Sequence, residues 1–114
     1  MARATIADMK THDWVGHAAG PILSTFKAKL EPLLQRPDIR DVRWIGAAAA
    51  IEFADTDGNP DPKARQRVQA RCLDRRLLVY GGGLHKNTIL LLPPININVD
   101  TLGNALEEVV AAIE

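Results

Sequence analysis

Cysteine is nearly missing from this chain. Cys72 is the sole one in 114 residues, so no intramolecular disulfide can form, which fits a reducing compartment. Aromatic residues make up only 4%, which leaves Trp44 and Tyr80 as the candidates for stacking on a nucleobase. Neither sign of charge is in excess, with 14 Lys plus Arg against 14 Asp plus Glu. A dedicated nucleic-acid or membrane-surface binder would be clearly basic, and this chain is not. No run approaches the ~20 apolar residues of a membrane helix. The start, Met1-Ala2-Arg3-Ala4-Thr5, lacks the apolar stretch of a secretory leader. The expectation is a cytoplasmic protein with neither nucleic-acid nor membrane partners. Zero net charge leaves little colloidal repulsion, so a homo-oligomer, simplest as a dimer, is also expected.

What is present describes a globular chain, with 46% hydrophobic and 25% charged residues. Its length suits one domain, residues 1–114, with a single modest core. Ile6, Met9, Trp14, Val15, Ala18, Ile22, Phe26, Leu30 and Leu33 recur at spacings of three and four. Thr11-His12-Asp13 interrupts them, with Asp13 as an N-cap, so helices are predicted over residues 2–10 and 13–35. Pro21 and Pro32 fall inside the second pattern, where each removes an amide donor and should kink or restart the helix.

Arg36-Pro37-Asp38 reads as a turn, and residues 42–53 as one buried strand. A polar loop follows at 54–61. Residues 62–75 form an amphipathic helix with Ala64, Val68, Cys72 and Leu73 inward and Lys63, Arg67, Arg71 and Arg75 outward. Short strands at 77–80 and 88–92 flank Gly81-Gly82-Gly83. A last helix opens at Asn98 and presents Leu102, Leu106, Val109, Val110 and Ile113. The order α-α-β-α-β-β-α predicts a two-layer α+β fold, a small antiparallel sheet covered on one face by helices.

Most constellations reduce to ordinary structure. In residues 55–61 a calcium loop built around Gly58 would need ligands at Phe53 and Ala64, which cannot coordinate. A solvated turn is the better reading. Gly81-Gly82-Gly83 is followed by no helix and no Gly-Lys-Ser/Thr, so it is neither a dinucleotide fingerprint nor a phosphate loop. The stripe Lys63, Arg67, Arg71, Arg75 reads as a solvated face. His12, His17 and His85 lack metal-ligand spacing, and Cys72 reads as an inert core thiol.

A resemblance covers nearly the whole chain. Ala4-Thr5-Ile6 opens a helix. Asp41-Val42-Arg43-x-Ile45-Gly46 is followed by Ile51-Glu52-Phe53. Leu77-Leu78-Val79-Tyr80 precedes His85-x-Asn87-x-Ile89-x-Leu91-Leu92-Pro93-Pro94. In this order they resemble the C-terminal small domain of class III, omega-amino-acid type, pyridoxal-phosphate aminotransferases. The resemblance implies a dimeric fold type I enzyme whose large domain holds the cofactor on a Schiff-base lysine. None of Lys10, Lys27, Lys29, Lys63 or Lys86 lies in a segment resembling that cofactor-lysine motif. The chain alone is therefore expected to bind no pyridoxal phosphate and to be non-catalytic, a free-standing or truncated small domain. Arg43, Tyr80, His85 and Asn87 are the substrate-pocket candidates that the resemblance implies. Two family glycines are replaced, by Trp44 and Lys86, and Leu90 stands where many members carry a carboxylate-binding arginine. The alternative is a binding or assembly module on the same scaffold, with Trp14, Trp44 and residues 47–50 at its interface. The partner would then be a second copy or a missing large domain.

Overall fold

A computed structural model describes residues 2–114. Helix α1 spans Ala2–Thr11 and buries none of its residues. Asp13, at φ 48°, caps α2 (Trp14–His17) by accepting from the Gly16 amide. The single long helix of the sequence reading is in fact four pieces. A π turn over Ala18–Ile22 accommodates Pro21, α3 runs Leu23–Leu30, and a 3-10 turn over Glu31–Gln35 holds Pro32 in its first turn. Each proline sits where the regular i→i−4 ladder is already broken, so its missing amide costs little. Ile22, Phe26 and Leu30, four residues apart, are fully buried.

The expected strand over 42–53 is two strands, β1 (Ile39–Ile45) and β2 (Ala48–Phe53). Gly46 turns the chain back with φ 53°. A positive φ at the first central position followed by an ordinary residue is the two-residue hairpin pattern that matches strand twist. Asp55 then accepts from the Asp57 and Asn59 amides, both at 2.9 Å, so its carboxylate shapes the turn. Asp61 caps α4 (Pro62–Asp74) through the Ala64 amide.

Leu73 does not face inward. It is 62% exposed, one position beyond the Ala64–Val68–Cys72 stripe that meets the core. Strand β3 is Tyr80–Gly82, later than expected, because Gly81 and Gly82 themselves pair with Ile89 and Thr88 of β4 (Thr88–Leu91). Helix α5 (Val99–Ile113) starts at Asn98, whose side chain accepts from the Asp100 and Thr101 amides.

The sheet is antiparallel throughout, in the order β1-β2-β4-β3. Val42, Ala49, Ile51, Phe53, Ile89 and Leu91 point into the core with α3, α4 and α5. Arg71 donates to the Ala112 carbonyl and Arg75 pairs with Glu108 at 2.7 Å. Half of the basic stripe thus ties α4 to α5 rather than facing solvent alone.

In the turn after β3, Gly83 has φ 92°, and a Cβ there would lie 2.6 Å from Thr88 Oγ1. Both strain and overlap oppose a side chain. Gly83→Ala is expected to cost about 1–3 kcal/mol, read as a lowered urea midpoint with an unchanged slope.

Candidate functional site

The face of the sheet turned away from the helices carries an exposed, largely apolar row of side chains. The strand register sets Arg43 opposite Ala50, Ala50 opposite Leu90, and Leu90 opposite Tyr80. Side chains two apart share a face, so Asp41, Ile45, Ala48, Glu52, Thr88 and Leu92 join this row. Much of it is apolar and uncovered: Ile45 is 80% exposed, Leu92 54% and Tyr80 52%. Arg43, Trp44, Ile45, Ala48, Ala50, Leu90 and Leu92 line a shallow hollow along it.

Charge enters this face at one end only. Arg43 donates to Glu52 at 2.8 Å and to Asp41 at 3.0 Å. The hydrogen bond it donates to Glu52, then that to Asp41, pushes the guanidinium above its already high ordinary value. It stays charged at any working pH and is anchored at the rim of the apolar hollow. Such a fixed, planar donor is suited to a carboxylate or phosphate.

The four site residues expected from the sequence do not assemble together. Arg43 and Tyr80 share the open face but sit on opposite edge strands, with Ala50 and Leu90 on the two strands between them. His85 lies exposed in the turn at 83–86. Asn87 is 1% exposed, and its Nδ2 donates to the Phe53 carbonyl at 2.8 Å. Its side chain is engaged inside the domain, holding the start of β4 to the end of β2, and does not face a pocket.

Leu90 fills the centre of the open row, so that position is apolar. Sequence reading missed Ile45 and Leu92 as members of this surface, because only the pairing register places them beside Leu90. Trp14, expected at an interface, donates from Nε1 to Asp8 at 2.8 Å and stacks on His12. It links α2 to α1.

The lysines are disposed differently from a Schiff-base donor. Lys10, Lys27, Lys63 and Lys86 are exposed, and Lys29 pairs with Glu107 at 2.6 Å between α3 and α5. None belongs to the open sheet face. The residues present therefore do not fit covalent capture of an aldehyde cofactor, which needs a lysine aimed into a site. Cys72 is fully buried on the core side of α4, and burial pushes its thiol up from the ordinary value. Among the described residues, no group of three or more His, Cys, Asp or Glu could hold a metal ion. No helix among them is long and apolar enough to cross a membrane.

No family model matches the chain. It is 37% identical over 75 residues to the 4-aminobutyrate aminotransferase GabT of Escherichia coli K12, covering 64% of this chain and 18% of that protein. It is 34% identical over 71 residues to the 2-aminoadipate transaminase of Pseudomonas putida KT2440, covering 62% of this chain and 17% of the relative. The chain thus spans less than a fifth of the length of these curated relatives. Among solved structures, an Arthrobacter phospholyase in complex with phosphoethanolamine superposes with a TM-score of 0.88 at 19% identity. That match covers 96% of this chain and 26% of the other.

Proposed function

We propose that this chain, a relative of the class III aminotransferases similar to their small C-terminal domain, covers a cofactor-holding domain with its open sheet face. In that position it shapes a substrate pocket and does not itself transfer an amino group. One observation carries the reading: Ile45, Leu92 and Tyr80 lie uncovered together on a single face of the sheet, around Leu90 and an anchored Arg43. Contiguous apolar surface of this kind marks a place where another protein surface sits.

On that face Arg43, held by Asp41 and Glu52, offers its remaining N–H donors to a polar substrate group, and Tyr80 supplies a ring and a hydroxyl at the opposite side of the row. Leu90 between them favours an apolar substrate portion over a carboxylate. His85, in the turn beyond β3, would approach the rim. A large domain, in this polypeptide or another, has to provide the lysine and the phosphate contacts. The same exposed row also favours the second reading, a binding or assembly module whose partner is another protein surface and not a cofactor domain.

The test adds pyridoxal phosphate to the purified 114-residue chain and records the Schiff-base absorbance band, with borohydride trapping of any adduct. No stoichiometric band is expected. A trapped one-to-one adduct, or turnover of an amine with a keto acid by this chain alone, would overturn the reading. A class III large domain lacking its own small domain should form a complex with the chain. Leu92→Asp should abolish that complex.

A further inference from the structure

Strand β1 ends the sheet, and among the described residues no strand neighbours its outer side. Among the described residues, no backbone hydrogen bond outside the β1–β2 ladder involves residues 40–45. Residues 41–45, beyond a shift in the β1–β2 register between Ile39 and Asp41, form a regular strand edge that can template another strand. Charged side chains normally discourage such pairing, and β1 carries Arg40, Asp41 and Arg43. Their order changes the outcome, because one register turns them from a deterrent into a match.

We propose that two copies of this chain join edge to edge through β1, antiparallel, with Val42 opposite Val42 on a twofold axis. Opposed residues of an antiparallel pair share a face of the sheet, so the axis must relate residues of the same facing. That condition allows a register centred on any residue of β1 and excludes those centred between residues; among the allowed ones, only Val42 sets opposite charges of the strand against each other. Centring on Asp41 sets two aspartates directly opposite each other, and centring on Arg43 sets two arginines so. Like charges directly opposite destabilise a pair of strands. Centring on Val42 places Asp41 of each copy opposite Arg43 of the other, twice by symmetry. Arg40 lies at the shift in the β1–β2 register, outside the regular stretch that would pair. A parallel, in-register pairing would set every charge against itself.

The side chains are already held in place for this. Arg43 is fixed on the open face by Glu52 at 2.8 Å and by its own Asp41 at 3.0 Å. The other copy's Asp41 would enter an arrangement in which guanidinium and carboxylates already alternate. Each copy keeps its open face on the same side of the joined sheet, so the two apolar hollows become one broader surface. The inference rests on the strand edge and not on the cofactor-domain role, which uses the open face; either can fail without the other.

Sedimentation of the 114-residue chain at rising concentration tests it. The expected result is a concentration-dependent dimer, with amide exchange at residues 41–45 slowing as dimer forms. Asp41→Arg and Arg43→Asp, each made alone, replace two opposite-charge pairs by two like-charge pairs and should weaken the dimer roughly tenfold or more. An equimolar mixture of the two variants restores both pairs between unlike chains. It should form a heterodimer within about threefold of the original affinity, since every cross-strand charge pair is then regained. The double swap D41R/R43D should likewise dimerise with itself, which guards against a single variant that fails to fold. Three results would each overturn the proposal. They are a monomer at all concentrations to roughly 1 mM, single variants as dimeric as the original, and folded variants that stay monomeric when mixed.

Discussion

Phe26→Ala is expected to lower stability by about 3–5 kcal/mol and the thermal midpoint by roughly 10–25 °C. Phe26 is fully buried in the middle of α3, at the junction of the helices with the sheet. With only five aromatic residues in the chain, few other side chains supply comparable apolar area. Its removal deletes that area and leaves a hole that flanking Ile22 and Leu30, both fully buried, can fill only by shifting the helix. A domain of this size has about 5–15 kcal/mol of total stability, so the variant should sit close to its unfolding threshold. Paired denaturant and thermal scans would check this. A loss under 1 kcal/mol would mean that α3 repacks freely, contrary to a core organised around this ring.

Asn87→Asp should be nearly as costly at neutral pH, about 3–5 kcal/mol. The amide nitrogen that donates to the Phe53 carbonyl at 2.8 Å would be replaced by an acceptor, inside the domain. An ionised carboxylate there would oppose a carbonyl oxygen with no donor between them. Burial would raise the new carboxyl group's pKa in the folded state above its unfolded value. The deficit relative to the parent chain should therefore be small below the unfolded carboxylate range. It should grow as pH rises through that range toward the folded value. Urea midpoints of both chains at pH about 4 and at pH 7 would show it. Asn87→Ala lacks the charge and should lose a smaller amount, about 2–3 kcal/mol, with no such pH dependence. The Asp61 amide also reaches the Phe53 carbonyl, at 3.2 Å, which limits that smaller loss.

The chain's punctuation was well written in its sequence. Asp13 and Asn98 each sit just before a helix and accept from the amides expected of an N-cap; Asp61, read only as the end of a loop, does the same for α4. The α5 stripe followed directly from 3.6-residue spacing, although Val110 is only partly covered. The β1–β2 hairpin was less legible. Gly46-Ala47 lacks the Asn-Gly or Asp-Gly signature of a tight turn, and four alanines mask the point where one strand ends. β3 was displaced for a related reason, since glycines that read as loop gain their strand character from pairing with β4.

The site divided along the same line. The pocket candidates came from the resemblance, and of them Arg43 and Tyr80 lie on the open face. What the sequence could not convey was register, the fact that puts Leu90 between them and turns Asn87 inward. A side chain's facing depends on its partner strand's alignment, and no local pattern encodes that.

The π turn over Ala18–Ile22 has an effect beyond making room for Pro21. Each residue of an α-helix advances about 100° around the axis, so one additional residue in a wide turn rotates everything after it by that amount. Trp14 and His17 precede the turn; Ile22, Phe26 and Leu30 follow it and reach the core. Shortening the segment to a regular turn would leave α3 fully helical, yet swing Phe26 and Leu30 more than a quarter revolution off the sheet. Angular phase, more than helicity, is what these five residues govern.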